Sequence, residues 1–107
     1  MRHLILATTE GVAGREVVQT LGLVKGSTVR SKHVGSDIVA AFRNLVGGEV
    51  KEYAALLIGA REQALDRMAS EARLLGADAV VALRLETSTI TQAASEVVAY
   101  GTAVKLR

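Results

Sequence analysis

A chain of 107 residues with thirteen Lys and Arg against eleven Asp and Glu has the length of one domain, 1–107, and an ordinary surface charge. No cysteine is present, which removes disulfides, thiolate metal sites and cysteine nucleophiles together and fits a reducing, cytoplasmic setting. Three aromatics, Phe42, Tyr53 and Tyr100, are too few for a base-stacking platform, so no nucleic-acid partner is expected.

In chain order, residues 2–7 form an apolar run of strand length that ends at Thr8-Thr9-Glu10-Gly11. Its apolar part is too short for a secretory signal, and the chain has no run long enough to span a bilayer. From Arg15 to about Lys32 the residues are rich in Val, Thr and Leu but interrupted by Gly22 and Gly26, which predicts a long bent strand or two strands joined by a bulge. Ser36 or Asp37 is a helix N-cap, followed by the stripe Ile38, Ala41, Phe42 and Leu45 and the stop Gly47-Gly48.

The strongest signal follows. Tyr53, Leu57, Ala60, Ala64, Met68, Ala72 and Leu75 recur three or four apart and predict one long amphipathic helix. Within it Gly59 marks either close packing or a tolerated cost of about 1 kcal/mol. Gly76 is placed as the left-handed residue that stops the helix, and Asp78 is expected to bond its own turn. The strand from Ala79 to about Ile90 puts Val81, Leu83 and Leu85 on one face. After a turn near 91–95, a last strand from Glu96 to Leu106 carries the small residues Ala99, Gly101 and Ala103 on one face, a strip that another backbone can approach closely.

The expected fold is therefore α+β, an antiparallel sheet with two helices packed on it in the order ββααββ. Its strands carry apolar or small residues on both faces, and two helices can cover only one of those faces. The remaining cover, or the pairing of exposed strand edges, is most simply supplied by further copies of the same chain.

Three stretches taken together, Thr8-Thr9-Glu10-Gly11, Val46-Gly47-Gly48 with Tyr53, and the run from Glu71 to Val81 with the closing Gly101-Thr102-Ala103-Val104, resemble the small bacterial YbjQ-like family. That family is uncharacterised and bears a heavy-metal-binding label. The resemblance spans essentially the whole chain and implies a compact α/β subunit assembled as a ring, with a homopentamer as its state.

The metal label can be weighed against the residues. Soft metals favour sulfur and imidazole ligands, and the chain offers only Met1, Met68, His3 and His33. Met68 falls on the apolar helix stripe and reads as core. His3 and His33 are the candidate metal ligands, although ordinary strand and loop histidines explain them as well. Glu10, Asp37, Glu71 and Asp78 offer harder oxygen ligands, but Asp37 and Asp78 already have cap and turn roles. Arg61, Arg67 and Glu71 share a helical flank, with Arg67 and Glu71 spaced to pair at i, i+4. With Glu10 they are the candidate binding residues for a small ligand or ion, and a solvated or subunit-bridging salt link is their plainer reading. Neither a nucleophile elbow nor phosphate-loop glycine spacing occurs. The expectation is a non-enzymatic, self-associating module, with heavy-metal binding as the alternative and a metal ion as the one cofactor in view.

Overall fold

The computed structural model describes residues 3–31, 48–91 and 94–107. Four strands and one helix occupy these residues: β1 (Ile5–Leu6), β2 (Val17–Ser31), α1 (Gly48–Leu74), β3 (Ala79–Thr91) and β4 (Ala94–Leu106). The α+β class holds, but the described order is ββαββ rather than ββααββ. The stretch expected to form a first helix, 36–46, lies outside the described residues, as do His33 and Asp37.

The strands form one sheet in the order β1-β3-β4-β2. The sheet is mixed, not purely antiparallel, because β1 pairs with β3 in parallel, Ile5 beside Ala79 and Leu6 beside Val80. Local patterning could not show this: an apolar run fits either direction, and its partner lies some seventy residues away. The other pairs, β3 with β4 and β4 with β2, are antiparallel. Thr91 pairs with Ala94, so the stretch expected to be a turn is largely strand.

Helix α1 is 27 residues long, about 40 Å at 1.5 Å per residue. It lies along β2 and β4 on one face of the sheet. Its stripe buries as expected, with Ala60, Ala64, Met68 and Ala72 fully inaccessible, while Leu75 at the end of the stripe is exposed. The helix ends as the sequence predicts. Gly76 takes φ 75°, the Ala77 amide donates to the Ala72 carbonyl and the Gly76 amide donates to the Arg73 carbonyl, the paired bonds of a Schellman stop.

Gly26 explains why helix and sheet lie so close. A Cβ at Gly26 would fall on the Met68 nitrogen and the Ala64 carbonyl oxygen, and within 2.7 Å of the Arg67 Cβ. The helix backbone therefore rests directly on β2. Gly59, by contrast, has nothing within 4 Å of its missing Cβ, so it is tolerated and not a packing device.

On β4, Val97, Ala99, Gly101 and Ala103 face the helix, and the last three of these are the small strip read from the sequence. At Gly101 the neighbour is β3, with Val80 Cγ1 2.6 Å and the Val81 carbonyl oxygen 3.0 Å from a Cβ built there. The strand is crowded at this point by a bulge: the register shifts between Val81 and Arg84, and Ala82 adopts φ 53°, a left-handed conformation that L-residues other than glycine rarely take.

On the opposite face of the sheet, the described residues form a cluster at one end. There Ala79, Val81, Val104 and Leu106 form a second, smaller core against Ile5 and Val12. Further along this face Leu23 and Val29 of β2 stand 65% and 57% exposed. Asp78 adds a tie that its expected local turn role misses, its Oδ2 accepting the Leu106 amide at 2.9 Å.

Candidate functional site

An open cleft of about 650 Å³ runs along β2, lined by Lys25, Gly26, Ser27, Arg67, Glu71, Glu96 and Val98. Its position follows from the sheet order. β2 is an edge strand, and α1 passes close above it because Gly26 has no side chain. Arg67 and Glu71, one helical turn apart, therefore overhang the strand edge. Across from them, Val98 and Glu96 enter from β4, beside Ser27 and Val29 of β2 in the antiparallel register.

The cleft carries two cations, Lys25 and Arg67, and two carboxylates, Glu71 and Glu96. Arg67 does not pair with Glu71 as its spacing suggests. Its Nη1 donates to the Ser27 carbonyl of the edge strand. Nearby, Arg30 Nη2 donates to Gln63 Oε1 at 3.1 Å, a second link from β2 to the helix flank. Such mixed charge suits a polar or zwitterionic ligand, or a strand edge with its own alternating charges.

Of the residues expected from the sequence, Arg67 and Glu71 are brought together in this cleft. Arg61 is exposed on α1 and does not line it, and Glu10 is exposed in the segment after β1. His3 is exposed just before β1. Lys25, Ser27 and Glu96 were not among the expected residues, since only strand register places them beside the helix flank.

A second polar arrangement holds the segment after β1. The Ala82 amide, turned outward by the bulge, donates to the Thr9 carbonyl at 2.7 Å, and the Leu83 amide donates to the Ala7 carbonyl at 3.1 Å. Arg84 Nη1 donates to the Thr8 and Leu83 carbonyls, both at 2.8 Å, and the Thr9 hydroxyl closes the turn onto the Gly11 carbonyl at 2.6 Å. The Thr8–Gly11 stretch is thus latched to β3 by backbone groups and one guanidinium. This accounts for that arginine structurally.

Comparison with known proteins bears on the whole chain. A family model described as "Putative heavy-metal-binding" matches residues 4–107. The chain belongs to the YbjQ-like family. Among its relatives, the UPF0145 protein of Pseudothermotoga lettingae is 54% identical over 97% of this chain and 98% of its own length. That of Archaeoglobus fulgidus is 55% identical over 99% and 98% respectively, and that of Fervidobacterium nodosum 57% over 97% and 96%. A crystal structure of a protein of unknown function from Pediococcus pentosaceus, assigned to the DUF74 family, superposes with a TM-score of 0.65 at 17% identity, covering 97% of this chain and 98% of that one. At that identity the likeness concerns the fold alone.

The family description can be tested on the donor set of this YbjQ-like chain. Among the described residues no group of three His, Asp or Glu side chains gathers in a way that could hold a metal ion, and the whole chain lacks cysteine. Within the described part of one copy the residues do not fit a soft-metal centre. Among the described residues, no helix is long and apolar enough to cross a membrane.

Proposed function

We propose that this protein is a non-enzymatic, homo-oligomeric binding module, a ring of identical chains whose ligand-accepting clefts lie between subunits. The observation that supports this reading is the elongation of one copy together with its exposed apolar side chains. Its radius of gyration is 17.2 Å, with extents of 54 × 24 × 23 Å, against about 13 Å for a compact domain of roughly 100 residues. The described strands are long, and among their side chains Leu23, Val29 and Leu85 are exposed. Such surface and such open strand edges are sheltered in soluble proteins by another chain or are blunted.

The mixed-charge lining of the cleft, Lys25, Arg67, Glu71 and Glu96 with Ser27, is suited to holding a polar ligand. A pentamer accords with what the family resemblance implies. Native mass spectrometry of untagged protein at micromolar concentration tests the reading. A closed oligomer of one defined number of chains is expected. A stable monomer overturns it.

A further inference from the structure

We infer that the free edge of β2 receives the outer half of β3 from a second copy, in parallel and with Lys25 beside the partner's Glu86, so that the cleft at Arg67 and Glu71 is closed only in the assembly. This deepens the proposed function and rests on self-assembly. Among the described residues the sheet has two long open borders. One is the outer side of β2 along its 15 residues. The other is the outer side of β3 beyond Leu83, the last β3 residue whose amide bonds to the β1 segment. Backbone amides and carbonyls on such borders need partners.

β2 and β3 are both antiparallel to β4, so they run in the same direction. A head-to-tail arrangement then sets β2 of one copy against β3 of the next in parallel and closes both kinds of border. A two-fold pairing of β2 with β2, or of β3 with β3, closes one kind and leaves the other open.

Charge selects the same partner. On the face away from α1, β2 carries Leu23, Lys25, Ser27 and Val29, and Lys25 is exposed with no acidic partner among the described residues. The corresponding face of β3 carries Arg84, Glu86 and Ser88. Arg84 is held by the Thr8 and Leu83 carbonyls, while Glu86 only accepts a 3.3 Å bond from the Tyr100 hydroxyl. Glu86 is therefore the charge this edge can offer. Pairing β2 with another β2 would instead offer Lys25 no carboxylate, because β2 carries none.

Fixing Lys25 beside the partner's Glu86 sets the register, and a separate observation supports it. On the helix-facing side of β2, Thr28 is 3% exposed and its hydroxyl has no hydrogen-bond partner, an arrangement native proteins rarely leave unanswered. In this register the neighbouring residue is the partner's Thr89, whose hydroxyl is of the right kind to answer it. The exposed Leu85 of the partner arrives beside buried Val24. Arg67, which occupies the Ser27 carbonyl in the single copy, yields that acceptor to the incoming strand.

The cysteine-free sequence makes the test clean. Ser27→Cys and Ser88→Cys, both at exposed positions, fall side by side in the proposed register. After native mass spectrometry has established that each variant assembles, the two are mixed by dissociation and reassembly and treated with a short bis-maleimide. Linked pairs are expected from the mixture and from neither variant alone. Linkage within Ser27→Cys alone or Ser88→Cys alone, or no linkage from a mixture that has assembled, overturns the edge assignment while leaving self-assembly standing. A monomeric wild type removes the proposed function as well. As a second measurement, Glu86→Lys is expected to weaken assembly by about tenfold or more, and Lys25→Glu in the same chain to restore it. Assembly indifferent to Glu86→Lys contradicts the pairing.

Discussion

Replacing Gly26 by alanine probes the contact on which the whole two-layer arrangement rests. The added methyl would meet the Met68 nitrogen and the Ala64 carbonyl oxygen, which are helix backbone and cannot rotate aside, as well as the Arg67 Cβ at 2.7 Å. Restoring ordinary carbon contacts of 3.5–4.0 Å requires the helix to lift by roughly 1 Å, which loosens the packing of Ala60, Ala64, Met68 and Ala72 together. Overpacking of this kind costs about 1–3 kcal/mol, and a backbone obstacle belongs at the upper end. The reduced freedom of the unfolded chain returns about 0.4–1 kcal/mol. A net loss of about 2 kcal/mol follows, or roughly 10 °C in melting temperature for a domain of this size. Gly59→Ala is the matched control, because its methyl enters open space within a helix and should stabilise by about 0.5–1 kcal/mol. Urea unfolding followed by circular dichroism, at one fixed protein concentration because assembly contributes to stability, measures both. A Gly26→Ala protein as stable as the wild type would show that helix and strand are not in contact there.

Ala82, at φ 53°, should respond in the opposite order to a usual strand position: Ala82→Gly is expected to be neutral or stabilising, whereas Ala82→Val should lose about 1–2 kcal/mol or more by forcing a β-branched residue into a left-handed conformation. Thermal melts of the two variants settle the ordering. Asp78→Ala removes the acceptor of the Leu106 amide and should cost about 1.5–3 kcal/mol, as bonds to charged groups do, with Asp78→Asn retaining part of it in the same melts. For metals, zinc, copper and nickel titrated into untagged protein are expected to show no binding that His3→Ala and His33→Ala abolish, because one copy's described residues gather no ligand set. Stoichiometric binding lost in either variant, read by calorimetry, would reinstate the histidines.

How much of this was readable from the residues alone depended on whether the relevant partner was near in the chain. The stripe through Ala60, Ala64, Met68 and Ala72 and the stop at Gly76 are written in local spacing, and the helix follows both. The irregular course of β2 was also legible, since its register shifts fall at Val17/Gln19 and Thr20/Gly22 beside the glycine that interrupts the run. Gly26 was not legible as a seat for the helix, because what it meets lies about forty residues on. Arg67 and Glu71 were visible as a spaced pair, yet Arg67 turns to a carbonyl of another element. Lys25 and Glu96 enter the cleft only through antiparallel register, which no periodicity encodes. The parallel placement of β1 escaped for the same reason.

That placement of β1 has a bearing on how the chain reaches its native state. Ile5 and Leu6 dock against Ala79 and Val80, so a segment made early in synthesis has no seat until most of the sequence has followed it out of the ribosome. Contacts this remote in sequence form slowly, since a large loop must close before any reward is gained. Docking of β1 is therefore expected only after the β3–β4 hairpin has formed, as is that of the start of β2, whose Val17 pairs with Leu106, and a fluorescent label beside Ile5 would report a late step of folding.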